Sequence, residues 1–578
     1  MVAEGEPIKK ITEDEGVSLG DKNLMRLLDR IVAEIRSFAE TKAAEIKRLS
    51  DIGIALSAER NLNRLLERIV DEARRFTNAD AGTLYMVQTN AESNDPELRF
   101  EILHNDTMET RMGGTSGKPA SLPPVPMVKN GAPNTNNVSA YVANTGESVD
   151  IPDVYEAEGF DFTGTRAYDK MTGYRTKSML VAPMRNHENE IIGVLQLINA
   201  QDPTSREVVR FSEEYEDLIK SLASQAAIAI TNAKLIEDLQ EMFESLIKLV
   251  ATAIDEKSPY TGGHIQRVAG LTVKIAETIN EMDEGPYADV HFSPDEMNEI
   301  RIAAWLHDIG KITTPEFVVD KSTKLETIFD RVDLVKTRFG LVREAIEKEA
   351  LERKLAIVAA AKGDPDEDRL AQIDRELSDQ LNELDDDLNF IVASNTGGEF
   401  LKDDAIERLE RIAERKFFLH GEEHPFLTEN ELKNLSIRKG TLTNEERQII
   451  NNHVVATIKM LSEIPFPKKL GRVVEFAGGH HEKLNGTGYP NGLSADDLAL
   501  QSRILCLADV CEALTARDRP YKPAMPKERA FQILGFMVKD GEIDPDLLKL
   551  FLDTNVYDRF IEESEEKASE AEAATTTA

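Results

Sequence analysis

The sequence predicts a multidomain chain: an α+β domain followed by a helical region that carries a helical-hairpin insertion. Three observations carry this reading. Within residues 57–200, strand-like runs at both ends flank helical spacing and a long Gly/Pro-rich loop. Heptad-spaced stretches lie before and after that segment. From about residue 243, histidines and aspartates sit in amphipathic or apolar helical contexts. A length of 578 residues calls for at least two domains, and more naturally three.

Composition excludes several classes. The hydrophobic fraction of 41% supports ordinary buried cores, which rules out wholesale disorder. No run approaches the ~18 apolar residues of a membrane span. The segment Met1–Lys10 is charged, so a secretory signal is not expected. Cys506 and Cys511 are the sole cysteines, too few for a disulfide framework. A soluble cytoplasmic protein is the expectation. Sixty-nine Lys+Arg against 105 Asp+Glu give a net charge of −36, which repels a phosphate backbone. Nucleic acid is therefore not an expected partner, and a phosphate substrate needs local capture by metal ions or a few placed cations.

The elements follow in chain order. Within residues 1–56, positions 21–56 read as one helix, with Leu24, Leu28, Ile31, Ile35 and Phe38 spaced as a heptad seam. A dimer-forming coiled coil and a helix lying on its own domain fit equally. The α+β domain is assigned to residues 57–232. It holds an amphipathic helix (Leu62, Leu65, Leu66, Ile69, Val70), the strand-like Ala81–Val87, a loop over 112–136, Val138–Thr145, and the strand-like Ser178–Pro183 and Ile191–Ile198. Residues 220–255 form a second long helix. Its seam of Leu235, Leu239, Met242, Leu246, Leu249 and Ala253 marks residues 233–256 as a signalling helix in a parallel dimer. Residues 325–435 stand apart. Val335, Phe339, Val342 and Ile346, then Leu370, Ile373, Leu377, Leu381, Leu384, Leu388 and Ile391, keep helical spacing around a break at Gly363–Asp366. This predicts an antiparallel helical hairpin, structural or partner-binding. The acidic, Ala/Thr-rich tail 563–578 is expected to be disordered.

The chemistry concentrates in the C-terminal half. His264 opens an amphipathic helix, and His307-Asp308 lie in Ala303-Ala-Trp-Leu-His-Asp-Ile-Gly-Lys311. His453, His480-His481 and Asp509 follow. A His-Asp pair in an apolar helix is costly to bury unless it is metal-bound or hydrogen-bonded. Imidazoles and carboxylates together suit Fe, Mn, Zn, Ni or Co rather than Ca or Mg. Lys311, three residues after Asp308, would lie one helical turn away on the same face, where a cation can meet a scissile phosphate. His420 and His424 flank Gly421 beside Pro425 and read as surface residues of a loop.

Two resemblances add to this. Tyr141–Glu147, Ile151-Pro-Asp153, Thr172-Gly-Tyr-Arg-Thr-Lys-Ser178 and Gly193-Val-Leu-Gln-Leu197 with Asn199 resemble a GAF domain, most closely the type found in cyclic-nucleotide phosphodiesterases and cyclases. That type often carries Asn-Lys…Phe-x-x-x-Asp-Glu. Here Asn199-Ala200…Phe211 and Tyr215-Glu216 lack the Lys and the Asp, which weighs against cyclic-nucleotide binding and leaves any GAF ligand unidentified. Residues 243–562 resemble an HD-GYP phosphodiesterase domain, an all-α fold, with His480-His-Glu-Lys-Leu-Asn-Gly-Thr-Gly-Tyr-Pro490 matching its second signature.

The HD-GYP resemblance implies hydrolysis of cyclic di-GMP to linear pGpG or GMP. The alternatives are another 3′,3′-cyclic dinucleotide such as cyclic GMP-AMP, or a catalytically weak receptor. It implies His264, His307, Asp308, His453, His480, His481 and Asp509 as metal ligands, with Asp308 bridging two divalent ions, Fe or Mn. Lys311 would contact the scissile phosphate, and Arg519 and Lys522 would hold the dinucleotide phosphates. Gly486, Gly488, Tyr489 and Pro490 form the family's loop, with Tyr489 facing ligand or partner. Asn485 replaces the family's Asp, a swap that should preserve the turn. Glu512 replaces a common Asp and reaches further. Members with a third metal often place a Glu just before the first His. Pro259-Tyr260 occupy that region here, so two ions are expected rather than three. The expected partners are a second copy of the chain through the coiled-coil helices, and a protein at the insertion or the Gly-Tyr-Pro loop.

Overall fold

The computed structural model describes residues 19–90, 93–257, 263–361, 363–398, 400–419, 421–516 and 525–576. It divides into two compact units, Met1–Met242 and Phe243–Ala578.

In the first unit, Leu62–Thr77 is a helix whose Asn61 cap accepts the N–H of Arg64. Its 3- and 4-residue spacing buries Leu65, Leu66, Ile69, Val70 and Ala73. The central sheet is antiparallel along its main path. Its order is Thr110–Gly113, Pro96–Asn105, Ala79–Thr89, Ile191–Gln201, Met179–Arg185, Val149–Ile151. Strand alternation splits the core. Leu195, Leu197, Leu180, Ala182 and Met184 meet the helices on one face. Val194, Met179 and Val181 meet the short helix Val138–Thr145 on the other, with Val138 and Val142. The strand Pro96–Asn105 was not foreseen, because its Glu, Arg and His residues mask the alternation.

Two long helices belong to this unit in whole or part: Leu19–Ala58, and Glu213–Asp255, which continues into the second unit. Lys42 pairs with Glu214, and a Cβ on Gly53 would sit 2.1 Å from Gln225 Oε1. Both contacts join residues 172 apart in number, so the helices run parallel. Neither heptad seam is absorbed by the fold. Leu24, Leu28, Ile31, Ile35 and Phe38 are 42–62% exposed, and Leu235, Leu239, Met242, Leu246 and Leu249 are 48–64% exposed. Seams buried against their own domain would be far less exposed.

The second unit is helical. One core joins His264–Asn280, Pro294–Leu306 and Leu500–Thr515 with the C-terminal helices, through Val268, Ile275, Ala304, Ile504, Ala508 and Leu547. Another gathers Ile247, Ala251 and Ile254 of the linker helix Glu213–Asp255 with Ile302, Leu306, Leu461 and Phe476. Ser293 and Thr443 each form a capping box, with Glu296 and Glu446, which fixes where two site-bearing helices begin.

Residues 325–435 have a core of their own, including Phe339, Val342, Leu384, Ile391 and Phe426. Helices Val332–Ala360 and Glu367–Ser394 are linked by Arg343–Asp385, Arg353–Glu376 and Lys354–Asp374. Rising numbers on one helix meet falling numbers on the other, so the pair is antiparallel. Beyond the hairpin lie Asp403–Glu414, Glu429–Leu435 and a two-stranded ribbon, Lys416–Leu419 with Glu422–Pro425. The loop expected around His420 and His424 is this ribbon. Gly421, at φ +87°, makes its turn, and His424 stacks 5.6 Å from Phe417, while His420 is outside the described residues. Among the described residues, no helix is long and apolar enough to cross a membrane.

The tail is a correction. Residues 563–576 continue the helix Val556–Thr576 instead of being disordered. Val556 is buried in the core and Glu563 bonds Lys274, so a packed first turn nucleates a Glu/Ala-rich stretch of strong helix formers.

Candidate metal centre

The seven side chains come from five places in the chain. His264 is the first residue of its helix, released by Gly263 at φ +73°. His307 and Asp308 sit just past the end of Pro294–Leu306, not within it. Lys311 lies in a 3₁₀ turn, Ile309–Thr313, instead of on an α-helical face. The apolar helix stops here because the turn is pinned to the helix Asn444–Ser462. Gly310 N–H donates to Thr457 Oγ1 (3.0 Å), which donates to the His307 carbonyl (3.0 Å). A Cβ on Gly310 would fall 1.9 Å from the His453 carbonyl oxygen. His453 is mid-helix, His480 and His481 follow Val473–Gly478, and Asp509 lies within Leu500–Thr515.

These side chains converge. His307, Asp308, His453 and His480 are at most 3% exposed, His264 and Asp509 at most 9%. Three imidazoles share one orientation. Nδ1 of His307 donates to the Ala304 carbonyl (2.7 Å), that of His453 to Ile450 (2.5 Å), that of His480 to Ala477 (2.6 Å). A carbonyl only accepts, so Nδ1 holds the proton and the Nε2 lone pair points inward. All three Nε2 atoms, and Asp308 Oδ1, are buried without a hydrogen-bond partner. Such groups are expensive unless something absent from the protein chain satisfies them.

Asp308 stands between two sets. Its Oδ2 lies 3.2 Å from His307 Nε2 and 3.6 Å from His264 Nε2, and the latter is 3.3 Å from Asp509 Oδ1. Its Oδ1 lies 3.3 Å from His453 Nε2 and 3.9 Å from His480 Nε2. Donor atoms of His453, His480 and His481 lie within 4.8 Å of one another, as do those of His264, His307 and Asp509. Donors bound at ~2.0–2.2 Å to one ion sit about 3–3.5 Å apart, so the spacing fits metal coordination.

Burial and neighbouring charges compete at these groups. Burial alone raises the Asp308 carboxyl, yet His307 and Lys311 hold it well below the ordinary range. Burial alone lowers His264, but Asp308, Asp509 and Glu512 pull it well above its usual value. Burial, with the charges of His481 and His307, pushes His480 well below. Lys311 Nζ rests 2.5 Å from Asp308 Oδ2. Glu512 does not join the seven: one oxygen holds His264 Nδ1 and the other takes Arg267 Nε at 2.7 Å. A carboxylate behind an imidazole orients the ring and raises its basicity.

The Gly-Tyr-Pro loop closes over His481. Glu482 accepts the N–H groups of Asn491 (2.7 Å) and Leu493 (3.0 Å). Asn485 Oδ1 accepts from Thr487 N and Oγ1, the local turn an Asp would make. Gly486 has φ +74°, and a Cβ on Gly488 would meet Lys483 N at 2.4 Å. The Tyr489–Pro490 bond is cis, and the Tyr489 ring lies 4.9 Å from that of His481. Arg519 and Lys522 are outside the described residues. Sequence reasoning missed Thr457, whose position one turn after His453 was a usable signal, and Lys257, which no local pattern marked.

A second cavity, about 480 Å³, lies in the first unit, lined by Tyr85, Phe100, His104, Phe162, Tyr174 and Gln196 among others. His104 is fully buried there. Its Nδ1 donates to Asp71 (2.9 Å), and its Nε2 has no partner.

Family models match three stretches: a GAF domain over residues 61–230, and HD domains over 261–388 and 429–547. His264, His307 and Asp308 fall in the first HD stretch, and His453, His480, His481 and Asp509 in the second. The chain is 40% identical over 97 residues to a Vibrio cholerae 3′3′-cGAMP-specific phosphodiesterase 3, covering 17% of this chain and 20% of that protein. It is 36% identical over 126 residues to a probable cyclic di-GMP phosphodiesterase of the same species, covering 21% and 28%. A Thermotoga maritima cyclic di-GMP phosphodiesterase is 34% identical over 130 residues, covering 21% and 34%. The match thus spans 20–34% of the length of these relatives. The chain carries a GAF domain followed by HD-domain helices that assemble the buried His/Asp centre.

Proposed function

We propose that the chain is a metal-dependent cyclic-dinucleotide phosphodiesterase of the HD-GYP type, under control of its GAF domain. The observation that carries this is the position of Asp308: its Oδ2 lies 3.2 Å from His307 Nε2 and its Oδ1 lies 3.3 Å from His453 Nε2, and both of these inward Nε2 atoms lack a hydrogen-bond partner. His264, His307 and Asp509 would hold one divalent ion, His453, His480 and His481 another, with Asp308 shared. Iron or manganese suits this donor set. The ions, when bound, supply a water of lowered pKa and Lewis-acid polarisation of a phosphodiester.

The residues of the chain do the rest. The backbone-anchored imidazoles hold their donors without reorganisation. Lys311, on a pinned turn beside Asp308, offers a cation to a non-bridging phosphate oxygen. Arg519 and Lys522 are assigned to the second phosphate, and Tyr489 to the face of the bound dinucleotide. Cyclic di-GMP is the first substrate to test, because relatives named for it match the chain. Cyclic GMP-AMP is the second, on the same kind of support. The two exposed heptad seams support a parallel homodimer. The buried, unpartnered His104 Nε2 supports a small GAF ligand that brings an N–H or O–H donor. Metal analysis of anaerobically purified protein, with product chromatography on both dinucleotides, tests the assignment. Protein without bound metal, or without linear product from either substrate, refutes it.

A further inference from the structure

Lys257 lies two residues past the end of the linker helix Glu213–Asp255. Its ammonium donates to three carbonyls of one turn: Lys311 (3.1 Å), Ile312 (2.7 Å) and Thr314 (2.6 Å). An ammonium has three donors, and here each meets an acceptor. The acceptors cluster at the C-terminal end of the 3₁₀ turn Ile309–Thr313, where the turn's dipole favours a cation; the Lys311 carbonyl also accepts the Thr314 N–H (3.0 Å). The opposite side of the turn cannot give, because Gly310 is packed against the His453 carbonyl and bonded to Thr457. Lys257 therefore holds the turn's adjustable side. Two residues earlier, Asp255 accepts the N–H of Ile265 (3.3 Å), the residue after His264. Asp255, Lys257, His264, Asp308 and Lys311 line one crevice.

We infer that Lys257 is a positioning residue: it fixes the turn from which Lys311 reaches Asp308, so the end of the linker helix sets where the phosphate-binding cation stands. The inference rests on the reading of Lys311 as a phosphate contact. A shift of the helix end strains three carbonyl bonds together and draws Lys311 from the reacting phosphate, while Asp308 at the start of the turn is held by the bonds of Gly310 and the His307 carbonyl to Thr457. The segment Asp255–Lys257 thereby touches both the His264 helix and the Lys311 turn.

The test is Lys257→Met in the full chain loaded with manganese. It keeps most of the stem and removes the donors. The expected result is a kcat about 10-fold lower or more, the scale of a misplaced catalytic group, with KM within about 2-fold and metal content unchanged. Amide hydrogen exchange at Lys311 and Thr314 should speed up, while that of the helix Asn444–Ser462 stays. Lys257→Met combined with Lys311→Ala should be no slower than Lys311→Ala alone. Lys257→Gln, with one neutral donor, should lose less, and it serves if the Met variant folds poorly. Wild-type kcat and exchange in either variant, or losses that multiply in the double variant, overturn the inference. A wild-type protein inactive on both dinucleotides overturns the proposed function instead, and exchange at Lys311 and Thr314 still decides the role of Lys257.

Discussion

Two buried carboxylates of the GAF domain, Asp169 and Asp80, and one of the HD centre, Asp308, are held in opposite ways. In the GAF domain, Asp169 is 3% exposed and fully served: it accepts Thr176 N (2.8 Å), Thr176 Oγ1 (2.9 Å) and Tyr155 O–H (3.1 Å). Asp80 likewise takes Tyr174 O–H (2.6 Å) and Thr107 Oγ1 (2.7 Å). In the HD centre, Asp308 is as buried, yet its Oδ1 and three facing Nε2 atoms are left without hydrogen bonds. A network closed on itself rigidifies a fold, whereas one open toward a shared centre is arranged for something that binds there. The GAF domain has open points of its own, among them His104 Nε2, Ser148 Oγ and Asp150 Oδ1.

The comparison can be broken from its strongest side first. Asp308→Ala should abolish hydrolysis and sharply lower metal content, since it removes the carboxylate that the proposed site shares between two ions. Full metal with near-normal turnover would separate Asp308 from the ions. Lys311→Ala should keep its metal and slow turnover by about 10²-fold or more, the usual cost of one preorganised electrostatic contact; steady-state kinetics with metal quantification decides it. Glu512→Gln should weaken metal affinity by about 10–100-fold, because the carboxylate behind His264 Nδ1 is lost. Competition with a chelator reads this out, and unchanged affinity would make Glu512 only a partner of Arg267.

The proposed coupling between the two domains gives the next test. Four residues inserted after Leu239 rotate the downstream seam, while seven preserve its phase. The first should alter phosphodiesterase activity strongly and the second little. Equal activities, or a monomer by sedimentation at micromolar concentration, would remove the signalling-helix assignment. The smallest effect belongs to the closed network. Asp169→Ala should cost about 1–3 kcal/mol of stability by stripping partners from buried groups, with metal content untouched. A loss of metal in that variant would contradict the separation drawn here.

Much of the molecule was legible in the residues. Heptad spacing gave both long helices, and the break at Gly363–Asp366 marked where one arm of the hairpin ends at Ala360 and the next begins at Glu367. The histidines and aspartates of the centre stood out because such groups are costly to bury among apolar residues without a partner, although His307 and Asp308 lie just past their helix and not within it. Other features escaped for definite reasons. Pro96–Asn105 is a strand because Ala79–Thr89 offers it a ladder, which its own polar residues do not advertise. The acidic tail is helical because its first turn is packed.

What the sequence by itself determined was local: which segments are amphipathic, where they stop, and which donor atoms the chain owns. Tertiary structure alone decided how those donors are shared. Asp308 divides its oxygens between two sets because Asn444–Ser462 pins the turn after His307 through Thr457, 150 residues away in sequence. Lys257 reaches the carbonyls of Lys311, Ile312 and Thr314 because the linker helix ends against that turn. Periodicity reports which face of an element is apolar. It carries no record of which backbone carbonyl a distant ammonium will meet, since that depends on how several helices pack around one core.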